Sequence, residues 1–198
     1  MSLFSFPELK RKADTLRIHD RSLFKKTASQ VLIESVESFS TSDSYDIFLS
    51  HSFKDAHFVL ALKMELAGMG YSTYVDWVDD KQLDRSKVSK ETASLLRKRM
   101  QTSKSLLLVS TENAHLSKWV PWELGYFDGF NDKVAILPLI ESEFPGDSYY
   151  GQEYLSLYPY VTKANDSSGK EKLWVHDKAT WYVIFDAWLK GSKPYKRD

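Results

Sequence analysis

The 198-residue chain contains no cysteine. That absence excludes a disulfide scaffold, a thiolate-ligated zinc site and a thiol nucleophile. Net charge is missing too, since 27 Lys and Arg balance 27 Asp and Glu. A broad nucleic-acid-binding surface shows as a basic excess, so none is expected. Nor is there a long hydrophobic run. The longest, LLLV at 106–109 and VAILPLI at 134–140, are far too short to span a bilayer. The opening MSLFSFPELKRK has no apolar stretch of signal-peptide length. A cytoplasmic protein with no membrane attachment is the simplest expectation. What remains, 42% hydrophobic and 27% charged residues, is the balance of a soluble globular domain.

SFSTSDS at 38–44, a cluster of small polar residues, reads as a linker. Before it, Leu9, Ala13, Leu16, Leu23, Val31 and Val36 recur at loosely helical spacing, so residues 1–43 are expected to form a helical extension and linker. Its basic residues, KRK at 10–12 with Arg17, Arg21, Lys25 and Lys26, read as a solvated helix face, with an acidic partner as the alternative. The main domain is expected at 44–190 and a basic tail at 191–198.

Within the main domain the pattern is regular. YDIFLS (45–50), STYVDWV (72–78), SLLLVS (105–110) and KVAILPLI (133–140) read as buried strands. Between them, 53–69, 88–100 and the segment HLSKWVPWELGYFDG (115–129) read as helices. Strands alternating with single helices give an α/β fold, a central parallel sheet of about five strands with helices on both faces. Towards the end, YPYVTK (158–163) and KLWVHD (172–177) read as edge strands, and Trp181, Ile184, Phe185 and Trp188 as a last amphipathic helix closed by Gly191.

Ligands of such a sheet bind beyond the carboxyl ends of its strands. The residues to weigh there are His51, Ser52 and Phe53, then Asp76, Trp77, Asp79 and Asp80, then 110–115, then Glu141. GMGYST lacks the third glycine of a dinucleotide fingerprint, and SSGK at 167–170 is only the tail of a phosphate loop. No serine sits in a nucleophile-elbow context. The five histidines, at 19, 51, 57, 115 and 176, show no metal-ligand spacing. Asp76, Asp79, Asp80 and Asp84 could supply oxygen ligands, but a polar loop explains them as well, and no metal is expected.

Glu123 is the remaining candidate, a carboxylate directly after WVPW. If Pro121 is the first helical residue, Glu123 falls in the first turn and complements the helix dipole. If the helix opens at Ser117, Trp119 and Glu123 lie four apart on one face, and Pro121 costs a helical bond. The residues leave these two readings nearly even.

Read together, three stretches resemble the TIR (Toll/interleukin-1 receptor) domain of the bacterial, NAD-cleaving type. YDIFLSHSFKDA resembles its first box, a strand running into S-H-x-x-x-D at Ser50, His51 and Asp55. VDWVDDKQLDRSK occupies the place of the loop after the second strand, and SKWVPWELGYFDG resembles the W-x-x-x-E signature at Trp119 and Glu123. Two departures stand out: LDRS carries Ser86 where the family has glycine, and VPW is unusual between the signature residues.

The resemblance implies a flavodoxin-like TIR fold with NAD+ as substrate and no cofactor. Glu123 is then the catalytic carboxylate, Trp119 stands beside it, and His51, Ser52, Phe53, Asp76, Trp77, Asp79 and Leu83 line or gate the substrate site. It is similar to the branch in Thoeris antiphage systems, which implies an ADP-ribose-derived signal nucleotide, self-association through TIR surfaces and a separate effector protein that senses the product. A non-catalytic interaction module is the alternative, with Glu123 only capping a helix. Ribosyl transfer on another nucleoside is a third.

Overall fold

A computed structural model describes residues 1–22, 44–80, 88–151 and 153–196. Strand β1 (Phe4–Ser5) and helix α1 (Phe6–Ser22) come first, followed by β2 (Tyr45–Ser50), a 3-10 turn at Phe53–Asp55 and α2 (Ala56–Gly68). Next come β3 (Thr73–Tyr74), the short α3 (Asp76–Asp79), α4 (Lys90–Gln101) and β4 (Ser103–Ser110). Short α5 (Glu112–His115), α6 (Val120–Asp128) and β5 (Val134–Ile140) follow, then β6 (Tyr160–Asn165), β7 (Glu171–Lys178), β8 (Trp181–Ile184), α7 (Phe185–Leu189) and β9 (Tyr195–Lys196).

Among the described residues the sheet has nine strands, in the order β3-β2-β4-β5-β6-β7-β8-β9, with β1 set against β5. From β3 to β6 the neighbours are parallel. Their chain order across the sheet is second, first, third, fourth, fifth, the flavodoxin-like winding expected for a doubly wound α/β domain. Strand side chains alternate between faces, and here both faces are apolar. Ile47, Leu49, Leu107, Val109, Ala135 and Leu137 pack with Leu9, Phe58, Leu62 and Leu66 of α1 and α2. Phe48, Leu106, Leu108, Val134 and Ile136 pack with Leu96, Met100, Leu124 and Phe127 of α4 and α6. Helices therefore cover both sides.

Three expectations need correction. The strand expected at 72–78 ends at Tyr74, and Asp76–Asp79 coils into α3. The Asp79 carboxylate accepts from the Val75 N–H at 2.6 Å and from Lys63 Nζ, which draws the chain back on itself. The segments expected at the sheet's edge lie inside it, because β6 and β7 form an antiparallel hairpin that continues through β8 and β9. Finally, the last helix begins at Phe185 and not at Trp181. Trp181–Ile184 pairs antiparallel with Trp174–Lys178 of β7, with a register shift between His176 and Lys178, and that pairing satisfies its backbone.

The N-terminal segment also holds a strand that helical spacing did not suggest. Strand β1 enters where β5 and β6 diverge. Phe4 pairs with Leu139 and Ser5 with Ile140, whereas β6 meets β5 at Ile136 and Tyr160. Ser2 bridges Lys163. Lys163 Nζ reaches Glu8 and Glu65, and Lys12 reaches the same two carboxylates, so four charges tie α1, α2 and β6 together. Most of the expected linker, 38–43, lies outside the described residues.

Candidate active site

The parallel strands reverse their order between β2 and β4, the point where such sheets open a crevice beyond their carboxyl ends. Ser50 ends β2 and Ser110 ends β4. Helix α6 packs over β2, β4 and β5 and brings Glu123 to this place. Glu123 is fully buried, and its Oε2 accepts a 2.6 Å hydrogen bond from Ser50 Oγ, itself fully buried. A carboxylate with no exposure is costly unless hydrogen-bonded. A merely dipole-complementing acid would face water.

The entry to α6 reconciles the two readings of Pro121. Ser117 Oγ accepts from the N–H groups of Trp119 and Val120, both at 3.3 Å, and the helix proper opens at Val120. Pro121 then sits in the first turn, where its missing N–H breaks no helical bond. The Glu123 N–H donates to the Trp119 carbonyl at 2.8 Å, so the two residues are one helical turn apart on one face. Trp119 is buried and meets Trp122 edge-on at 5.4 Å. Trp122 turns away, stacking on Tyr126 beneath the Arg97 guanidinium.

His51 is buried, and its Nδ1 donates to the Leu49 carbonyl at 2.9 Å. Its Nε2 lies 3.6 Å from Asp76 Oδ1 at the start of α3, an electrostatic contact too long for a hydrogen bond. Ser52 is buried beside it, whereas Phe53 is 65% exposed. Trp77 packs against the core on the α1–α2 side of the sheet, the face opposite α6. Asp79 is engaged there too, by Lys63 at 2.7 and 2.8 Å. Burial pushes the Asp79 carboxyl up and the Lys63 ammonium down, each towards neutrality. On the other side Asp80 takes Arg99 in a two-pronged contact and the Tyr74 hydroxyl. Leu83 lies outside the described residues. Thus Trp119, His51, Ser52 and Asp76 stand with Glu123 at the strand exits, and Trp77 and Asp79 serve the opposite face.

Sequence reasoning passed over Ser50, Asp55 and Tyr149. Ser50 and Asp55 were both inside the S-H-x-x-x-D motif without a role. Period-two alternation would have set Ser50 on the Phe48 side of β2, facing α6. Asp55 occupies the N-cap of α2 but makes no capping bond. Its buried carboxylate instead accepts from Thr111 Oγ1 and Asn113 Nδ2, both at 2.6 Å, joining the loops after β2 and β4. The 3.2 Å contact of Ser110 Oγ with the Tyr149 hydroxyl had no local signal. Among the described residues no group of three His, Asp or Glu side chains could hold a metal ion, and no helix is long and apolar enough to cross a membrane.

Over 168 residues, 84% of this chain and 86% of its relative, the sequence is 54% identical to a Bacillus cereus (strain MSX-D12) protein provisionally named 3′ cyclic ADP-D-ribose synthase ThsB′. The chain belongs to the ThsB′ family of TIR proteins. A second relative, provisionally named cyclic ADP-D-ribose synthase TIR2, comes from Cytobacillus dafuensis. It is 39% identical over 83 residues, which are 41% of this chain and 22% of that protein. The TIR domain of the Toll-related receptor TRR-2 from Hydra magnipapillata aligns with a TM-score of 0.41 and 16% identity, over 56% of this chain and 77% of that domain. So distant a likeness carries no argument about the site. No protein-family profile matches the chain.

Proposed function

We propose that this ThsB′-family chain cleaves the nicotinamide–ribose bond of NAD+ and closes the remainder into a cyclic ADP-ribose, with Glu123 as the catalytic carboxylate. The observation that carries the reading is the buried Ser50–Glu123 contact at the point where the strand order reverses. The 54% identity to a protein named a 3′ cyclic ADP-D-ribose synthase supports the same 1″–3′ linked product here.

The chemistry suits a lone carboxylate. Nicotinamide in NAD+ leaves as a neutral base, taking the electron pair of the C1″–N bond, so no general acid is required. Positive charge builds on C1″ and the ring oxygen, as in glycoside cleavage. A fixed carboxylate in an aromatic, water-poor pocket stabilises that charge, and removing such a group costs about 10²–10³ in rate. A hydroxyl of the adenosine ribose then bonds to C1″ and releases its proton. The products are cyclic ADP-ribose, nicotinamide and H+. Trp119 excludes water that would otherwise give linear ADP-ribose. Because Glu123 is wholly covered, turnover begins with a local opening at the strand exits.

The signal nucleotide acts in antiphage defence through a separate effector protein, and the TIR surfaces self-associate. Incubation of purified protein with NAD+ should release nicotinamide, and Glu123→Gln should lower that rate at least about a hundredfold. Mass spectrometry with retention standards should identify the cyclic isomer. Equal turnover by wild type and Glu123→Gln would remove Glu123 from the mechanism.

A further inference from the structure

We propose that Ser50 is the positioning residue of this site: its hydroxyl fixes the orientation of the Glu123 carboxylate that meets the ribose. The inference rests on the NAD+-cleaving role of Glu123 just described. Ser50 closes β2 and pairs with Leu108 of β4, so its place is set by the two central strands and not by a loop. Both side chains have zero exposure, and the Oγ to Oε2 distance is 2.6 Å, the short range of hydroxyl–carboxylate bonds.

A glutamate side chain has three rotatable bonds, and helix α6 holds its root. Ser50 holds the other end at Oε2. This has two chemical consequences. The carboxylate is held as a preorganised dipole, so it need not reorient when charge appears on C1″. The donor also stabilises the ionised form, the only form that can oppose that charge. Ser50 does not contact the reacting atoms in this arrangement; it acts through Glu123.

Two measurements on Ser50→Ala, with Ser50→Thr as the conservative variant, test this. Strand Ser→Ala removes one oxygen, and circular dichroism with the thermal midpoint reports whether the fold persists. Nicotinamide release from NAD+ should show kcat down about tenfold to a hundredfold with KM within about twofold, because the loss falls on the transition state. The acid limb of the kcat profile should move to higher pH by about one unit, since a bond to a charged acceptor is lost. Ser50→Thr, which keeps the hydroxyl, should restore the limb. His51, Asp76, Arg97, Glu112 and His115, the titratable groups on the surrounding elements, are common to all three proteins and cancel in the comparison.

The second measurement is independent of turnover: a carbon NMR titration of the side-chain carboxyl of Glu123, assigned by its loss in Glu123→Gln. Its midpoint should rise in Ser50→Ala and return in Ser50→Thr. A rise together with absent nicotinamide release from wild type would keep the Ser50–Glu123 coupling and discard the NAD+ reading. An unmoved midpoint and acid limb in a folded Ser50→Ala protein would overturn the positioning role, whatever the rate.

Discussion

Replacing Asp55 by alanine tests the joint between the two loops that flank the site. The carboxylate accepts from Thr111 Oγ1 and Asn113 Nδ2, both at 2.6 Å, and it is 2% exposed. Hydrogen bonds to a charged group contribute about 1.5–3 kcal/mol each. Thr111 and Asn113 are only half-buried, so water reaches both donors once the acceptor is gone, and the lower end applies to each. The expected loss is about 3 kcal/mol. For a domain of this size that lowers the thermal midpoint by about 6–12 °C. No helix-cap loss adds to this, because Asp55 makes no capping bond to α2. Thermal or urea unfolding of Asp55→Ala, Asn113→Ala and the double variant measures it. The cycle should return a coupling of about 1–1.5 kcal/mol between the two side chains. A midpoint shift below about 2 °C, or additive single losses, would refute the idea that this carboxylate joins the loops.

Two further outcomes follow from burial. Burial holds the His176 imidazole below its ordinary 6.5, between the rings of Tyr160 and Tyr182 and 2.8 Å from Thr162 Oγ1. The unfolded chain therefore takes up a proton that the folded one resists, and stability is complete above about pH 6.5 and declines as the pH falls below it. His176→Gln should flatten the midpoint profile between about pH 7 and 5; the same slope in both proteins would sink this. Phe4 is fully buried between β5 and the Lys163 ammonium. Phe4→Ala should cost about 3–5 kcal/mol and reduce the midpoint by at least about 6 °C in a calorimeter. A change under about 2 °C would show that β1 stabilises nothing.

The parallel part of the fold was legible because each of its strands is a short apolar run between helical periods, and nothing in those segments contradicts the pattern. The C-terminal part misled for an instructive reason. Trp181, Ile184, Phe185 and Trp188 satisfy a helical period over a short window, yet β7 offers Trp181–Ile184 a nearby partner, from Lys178 opposite Trp181 to Trp174 opposite Ile184, and pairing prevails over propensity. Asp79 stood among site residues by its place after the second expected strand and by the family resemblance. Only the fold reveals Lys63 beneath it, because that lysine comes from α2 on the other side of the sheet. Glu123 was separable from a capping acid by the three motifs together. Its partner Ser50, 73 residues earlier, could not be paired with it until β2 and α6 were brought into contact.

The slot that β1 fills beside β5 also imposes an order on synthesis. Ser5 Oγ donates to the Ser142 carbonyl, a partner 137 residues further along. At typical bacterial elongation rates that interval lasts on the order of ten seconds. Until then Phe4 has no β5 edge to pair with. Strand β1 cannot pair until β5 exists, so its docking is a long-range closure that follows the local helix and strand contacts.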